Sequence, residues 1–158
     1  MTHATNMPAR TVGSGTLSAL RALAARQPAD IAALRRTAQK QAARLRRLLP
    51  NAGDLATQLP HLLPNIQIDI VDDSPVPGIS FWGARRWHVL IRACDPVHVQ
   101  EQAILHALKH IIDHPMRRRI TAVKDADWEA VADHFASEVR ADRPGSDKPE
   151  KKGGATCT

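Results

Sequence analysis

The sequence predicts an α+β domain, a small sheet packed with helices, preceded by a helical N-terminal extension. Three observations point there. Residues 16 to 49 place apolar side chains at helical spacing, residues 66 to 71 alternate with period two ahead of two further strand-like runs, and residues 96 to 141 return to helical spacing. At 158 residues the chain suits one compact domain with a real core and short appendages.

The elements follow in order. Residues 1–14 and 143–158 are expected to be disordered, the latter being dense in Gly, Pro and charge. Residues 15–60 form the basic helical region. One helix is expected over Thr16–Arg26 and a second over Ala29–Leu49, with Ile31, Leu34, Ala38, Leu45, Leu48 and Leu49 inward and Pro50 as its end. Asn51–Leu59 suggests a short helix closed by Pro60. The sheet-containing domain then covers 61–142. Ile66, Ile68 and Ile70 define a half-buried strand, and Ile79–Trp82 and Trp87–Ala93 form a hairpin across Gly83 to Arg86. Asp95 before Pro96 marks an N-cap and a first helical residue, with Val97, Val99, Ile104, Leu105, Leu108, Ile111 and Ile112 inward and an end near Asp113, before Pro115. Met116–Val123 is a connecting loop, and Ala126–Ala141 a last helix with Trp128, Val131, Ala132, Phe135 and Val139 inward.

Charge is unevenly spread. Residues 1–50 carry nine Lys or Arg against one acid, a net of +8, whereas residues 51–158 carry thirteen bases and fifteen acids, a net of −2. On Ala29–Leu49, Arg35, Arg36, Lys40, Arg44, Arg46 and Arg47 make a basic amphipathic helix, either a solvated face or a contact for nucleic acid, an acidic membrane surface or an acidic partner. No aromatic residue interleaves with these bases, so direct nucleic-acid contact is not favoured. No run approaches the roughly 18 apolar residues that cross a bilayer, and the first fifteen residues lack an apolar signal segment, so the expected compartment is the cytoplasm, away from membranes. Two cysteines, Cys94 and Cys157, do not make a disulfide framework, and Cys94 is expected to be a small buried side chain.

Chemistry concentrates on the two late helices. His106 and His110 are four apart on one helical face, where two imidazoles can converge on one metal ion or be partly buried polar side chains. Glu129 and Asp133 repeat the spacing on the next helix, as a metal site or as a solvated acidic edge. Two coupled pairs on adjacent helices favour the metal reading: His106, His110 and Glu129 as ligands of Zn2+, and Asp133 accepting the ring N–H of a ligating histidine. His114 lies about 12 Å of helix rise beyond His106 and cannot share that ion. Lys109 and Asp113 are expected to be solvated. The chain has no tyrosine, so an oxyanion donor would come from His88, Arg118, His114 or a backbone N–H.

The segments PNIQIDIVDDSPVPGISFW, RWHVLIRACDP, LHALKHIIDHP and WEAVADHFA, in this order across about residues 60–140, together resemble the ImmA/IrrE-type metallopeptidases. In that family the helix reads HExxH and a later ExxA(N/D)xFA supplies the third ligand. The resemblance implies a zincin-like domain, with His106, His110 and Glu129 on zinc, Asp133 at the Asn/Asp position, and a peptide along an exposed edge strand, here Ile79–Trp82. It implies a zinc endopeptidase that cleaves a helix-turn-helix transcriptional repressor. One position departs: the family's general-base Glu is Ala107 here. Without that carboxylate the ligands remain but proton transfer is lost, so this chain is expected to bind zinc and not to turn over. The intact Glu129 and Asp133 favour an introduced glutamate-to-alanine change over natural loss. The alternatives are a non-catalytic zinc-containing pseudoenzyme that binds a protein partner, and a basic DNA-binding protein.

Overall fold

The computed structural model describes residues 14–24, 28, 30–50, 53–141 and 143. The expected disordered ends fall outside this set, except that Ser14 opens the first helix and Arg143 donates hydrogen bonds to the carbonyls of Gly53 and Pro50. The order is α1 (Ser14–Ala22), α2 (Ile31–Leu48), α3 (Leu55–Leu62), β1 (Ile66–Val71), β2 (Gly78–Gly83), β3 (Arg86–Arg92), α4 (Val97–Arg117) and α5 (Asp125–Arg140). The fold is α+β, with five helices around a three-stranded mixed sheet among the described residues. No described helix is long and apolar enough to cross a membrane.

Local sequence explains most ends. Asp30 caps α2 by accepting from the Ala33 N–H at 2.7 Å, and Asp54 caps α3 by accepting from the Ala56 and Thr57 N–H groups. Pro60 does not close α3; it lies inside it, and the helix loses one bond to the Ala56 carbonyl yet runs on to Leu62, because Leu59 and Leu63 on either side are buried. Asp95 is not the cap of α4. Its carboxylate pairs with Arg92 at 2.9 Å, and Pro96 stands at the cap position without a side-chain hydrogen bond.

The end of α4 is the main correction. The helix passes through Pro115 to Arg117, so Met116 is a buried core residue rather than loop. Pro115 has no N–H for the Ile111 carbonyl. Arg21 of α1 takes its place, donating from Nη2 to the Ile111 carbonyl at 2.8 Å and from Nε to the Ile112 carbonyl at 3.3 Å.

The sheet order is β1-β3-β2, with β1 parallel and β2 antiparallel to β3. The hairpin turn is two residues, Ala84 and Arg85, rather than four; both have positive φ, 47° and 63°, as a two-residue turn that follows the strand twist demands. Val89 and Ile91 point to the helices and are buried, while His88 stacks on Phe81 on the outer face, ring centroids 5.1 Å apart. β2 is an edge strand. At Gly78 it lies so close to α4 that a Cβ would come 3.1 Å from the Ala103 side chain and 3.2 Å from Ile91, so a larger residue there would push α4 and the edge strand apart by a few tenths of an ångström. In β1 burial fades from Ile66 to Ile70, which is exposed.

One apolar cluster runs from Leu17 to Val139, so α1, α2 and α3 share their core with the sheet and the late helices. Every residue expected inward on α5 is buried, and on α4 Ile104, Leu105, Leu108, Ile111 and Ile112 are, whereas Val97 is exposed at the first turn. Within the core, Lys109 and Asp113 are not solvated. They are 1% and 2% exposed and pair at 2.6 Å, Lys109 Nζ also donates to Gln41 Oε1, and Gln41 Nε2 donates to the Leu20 carbonyl. Burial pulls Lys109 down and pushes Asp113 up, each countered by the opposite charge of its partner. Cys94 is exposed, not buried, since it lies in the turn between β3 and α4.

Candidate metal centre

The 3.6-residue repeat of α4 aligns His106 and His110 one turn apart, and α5 packs beside it with Glu129 and Asp133 on the facing side. His106 Nε2 and His110 Nε2 approach to 2.9 Å, and Glu129 Oε2 lies 3.0 Å from the first and 3.3 Å from the second. Three donor atoms from three residues thus converge on one point. Asp133 Oδ1 accepts from His106 Nδ1 at 2.7 Å, which orients that ring and leaves its Nε2 lone pair aimed at the same point. Burial alone would raise the Glu129 carboxyl, but the two imidazoles outweigh it and hold the group below the usual carboxylate range. Burial, helped by His106 and Arg117 against the pull of Glu129, lowers His110, so its ring favours the neutral form that metals require.

The donor set matches a tetrahedral metal with a free position. Two neutral imidazoles and one carboxylate are a three-ligand set of the kind zinc takes when it keeps a fourth site open, and the Asp133–His106 bond is the carboxylate support such ligands have.

The centre lies on the floor between two openings. One is a groove walled by Pro77 just before the edge strand, by Gly78 and Ile79 of that strand and by Val99, Gln102 and Ala103 of α4. Ala107 lines it beside His106 and is 5% exposed, so a longer side chain there would enter the groove next to the ligands. The other opening is lined by Ser80, Trp87, His114, Arg117 and Arg118 together with His110 and Glu129. There Trp87 and His114 meet edge to face at 5.0 Å. Slight burial, then the guanidiniums of Arg118, Arg21 and Arg117, hold His114 below its ordinary imidazole value.

Of the residues singled out from sequence, His106, His110, Glu129 and Asp133 come together. His114 and Arg118 line the neighbouring pocket, but His88 belongs to the outer sheet face, its Nε2 3.2 Å from the Gly83 carbonyl, and lines neither opening. Arg117, which the sequence places in the loop after α4, joins the cluster instead. Its Nη1 donates to His110 Nδ1 at 3.0 Å, its Nη2 to Asp125 at 3.2 Å, and its guanidinium lies over the Trp128 ring. Position 117 is seven residues, two turns, from His110, so the signal was present once α4 is carried through Pro115. On α2, Arg35, Arg36, Lys40, Arg44 and Arg47 are exposed, while Arg46 turns in to donate to the Glu138 carbonyl.

No protein-family model matches the chain, and neither does any curated protein or solved structure.

Proposed function

We propose that the chain is a zinc metallopeptidase of the ImmA/IrrE type with a zincin-like catalytic domain, held inactive by Ala107, and that its substrate is a helix-turn-helix repressor. The observation that carries the reading is the convergence of His106 Nε2, His110 Nε2 and Glu129 Oε2 on one point beside an exposed edge strand. His106, His110 and Glu129 would hold zinc, which when bound supplies the Lewis acidity that amide hydrolysis needs. The repressor itself is inferred from the resemblance in motifs.

The chain's own residues divide the remaining work. Asp133 holds His106 in one tautomer and orientation. β2 offers its open edge to an extended peptide, whose main chain would add a strand to the sheet, and Gly78 lets that edge sit against α4 next to the ligands. Ala107 occupies the place from which a glutamate would take a proton from the attacking water and pass it to the leaving nitrogen. The alanine methyl can neither accept nor release that proton, and loss of a positioned general base costs about 10²–10⁴ in rate.

Purified chain should contain about one zinc by plasma mass spectrometry, lost in His110→Ala and in Glu129→Ala, and Ala107→Glu should cleave a repressor that the present chain only binds. Absence of zinc, or zinc indifferent to both substitutions, would defeat the proposal. Ala107 itself favours a second reading, a zinc-bearing module that grips a protein without cutting it; in that case Ala107→Glu would leave the bound partner intact.

A further inference from the structure

We propose that the pocket beside the metal centre, on the side away from the apolar groove, recognises an acidic side chain of the bound peptide within two residues of the bond to be cleaved. This deepens the peptidase reading and rests on it.

Along β2 the two openings lie in sequence. Gly78 and Ile79 border the groove, Ser80 borders both, and Trp87, the partner of Trp82 across the hairpin, borders the second pocket. A peptide strand added to β2 would therefore pass from groove to pocket over His110 and Glu129. Its side chains on one face repeat every ~6.8 Å, so a residue close to the reacting bond must enter the pocket.

The two openings differ in charge. The groove's walls outside the ligand cluster, residues 77–80 together with Val99, Gln102, Ala103 and Ala107, include no cation. The pocket has two arginines. Arg117 is held by Asp125, but Arg118 is exposed and its side chain has no partner among the described residues. The opposing carboxylates are both committed: Asp125 to Arg117, and Glu129 to the two imidazoles. Arg118 is thus an unneutralised guanidinium sharing the pocket with the Trp87–His114 ring pair, where a planar carboxylate could take two parallel N–H donors beside apolar surface. Asparagine offers the same shape without charge, and lysine would meet like charge.

The test uses the zinc-loaded chain with Ala107 in place, which binds without turnover. Three short peptide hydroxamates, identical except for Asp, Asn or Lys at the residue next to the hydroxamate, are titrated by calorimetry. The Asp ligand is expected to bind about tenfold more tightly than the Asn ligand and the Lys ligand most weakly. Arg118→Ala should erase the order and Arg118→Glu should reverse it towards Lys. Equal affinities for the three, an order that survives Arg118→Ala, or no binding of any of them would overturn the proposal. Ala107→Glu separates this from the underlying reading. Charge preference with no cleavage of any peptide would leave the pocket standing and remove the peptidase; cleavage without preference would do the reverse.

Discussion

His110 is asked to satisfy two neighbours through one ring. Arg117 can only donate, so its bond to His110 Nδ1 requires a lone pair there and places the ring proton on Nε2. A metal on Nε2 requires the opposite tautomer, with the proton on Nδ1, where it would confront the guanidinium. Arg117 must then release His110 and rely on Asp125, and its positive charge also opposes a cation nearby. Arg117→Ala is accordingly expected to bind zinc several-fold more tightly in a chelator competition, whereas Asp133→Ala should bind it about 10–100-fold more weakly by losing the support of His106. Weaker zinc binding by Arg117→Ala would show that the arginine holds His110 in place rather than competing for it.

At the scale of elements, α4 is the part that positions everything, and its last turn depends on α1. Pro115 breaks the ladder at the Ile111 carbonyl, and Arg21 closes the break from another helix. Arg21→Met should therefore destabilise the fold by about 1–3 kcal/mol, read as a shift in the urea midpoint. Pro115→Ala restores an N–H for Ile111, so it should recover much of that loss in the double variant. If the two effects simply add, Arg21 is not compensating for the proline. The hairpin shows a different local conflict. Ala84 and Arg85 both adopt left-handed backbone, at about 1–2 kcal/mol each, because only a tight turn of that hand keeps β2 paired with β3 and hence beside α4.

Across the whole molecule, the buried Gln41–Lys109–Asp113 chain links α2 to α4 and, through the Leu20 carbonyl, to α1. It sits one residue from His110, so the same helical turn carries a candidate metal ligand on one face and an ion pair in the core on the other. Asp113→Ala leaves a buried ammonium without its counter-charge and should cost about 3–5 kcal/mol. Asp113→Leu combined with Lys109→Met removes both charges and should restore most of that stability in a urea melt. A double variant as unstable as Asp113→Ala would mean that the pair contributes packing that apolar side chains cannot replace.

Much of this was legible in the chain itself. The spacing of apolar residues set five helices and three strands, the alternation of Ile66, Ile68 and Ile70 marked the first strand, and the i, i+4 pairs His106/His110 and Glu129/Asp133 marked the candidate metal centre, because each signal is carried by residues close in sequence. Partners distant in sequence were not legible. Pro60 and Pro115 read as stops, and only packing of the flanking leucines and the guanidinium of Arg21, ninety residues from Ile111, kept those helices whole. Lys109 and Asp113 read as solvated because charge predicts exposure until a third helix brings Gln41 to meet them. The repeat of a helix or strand is decided by neighbours along the chain, whereas burial, hydrogen-bond completion and the charge of a pocket depend on which elements meet in space.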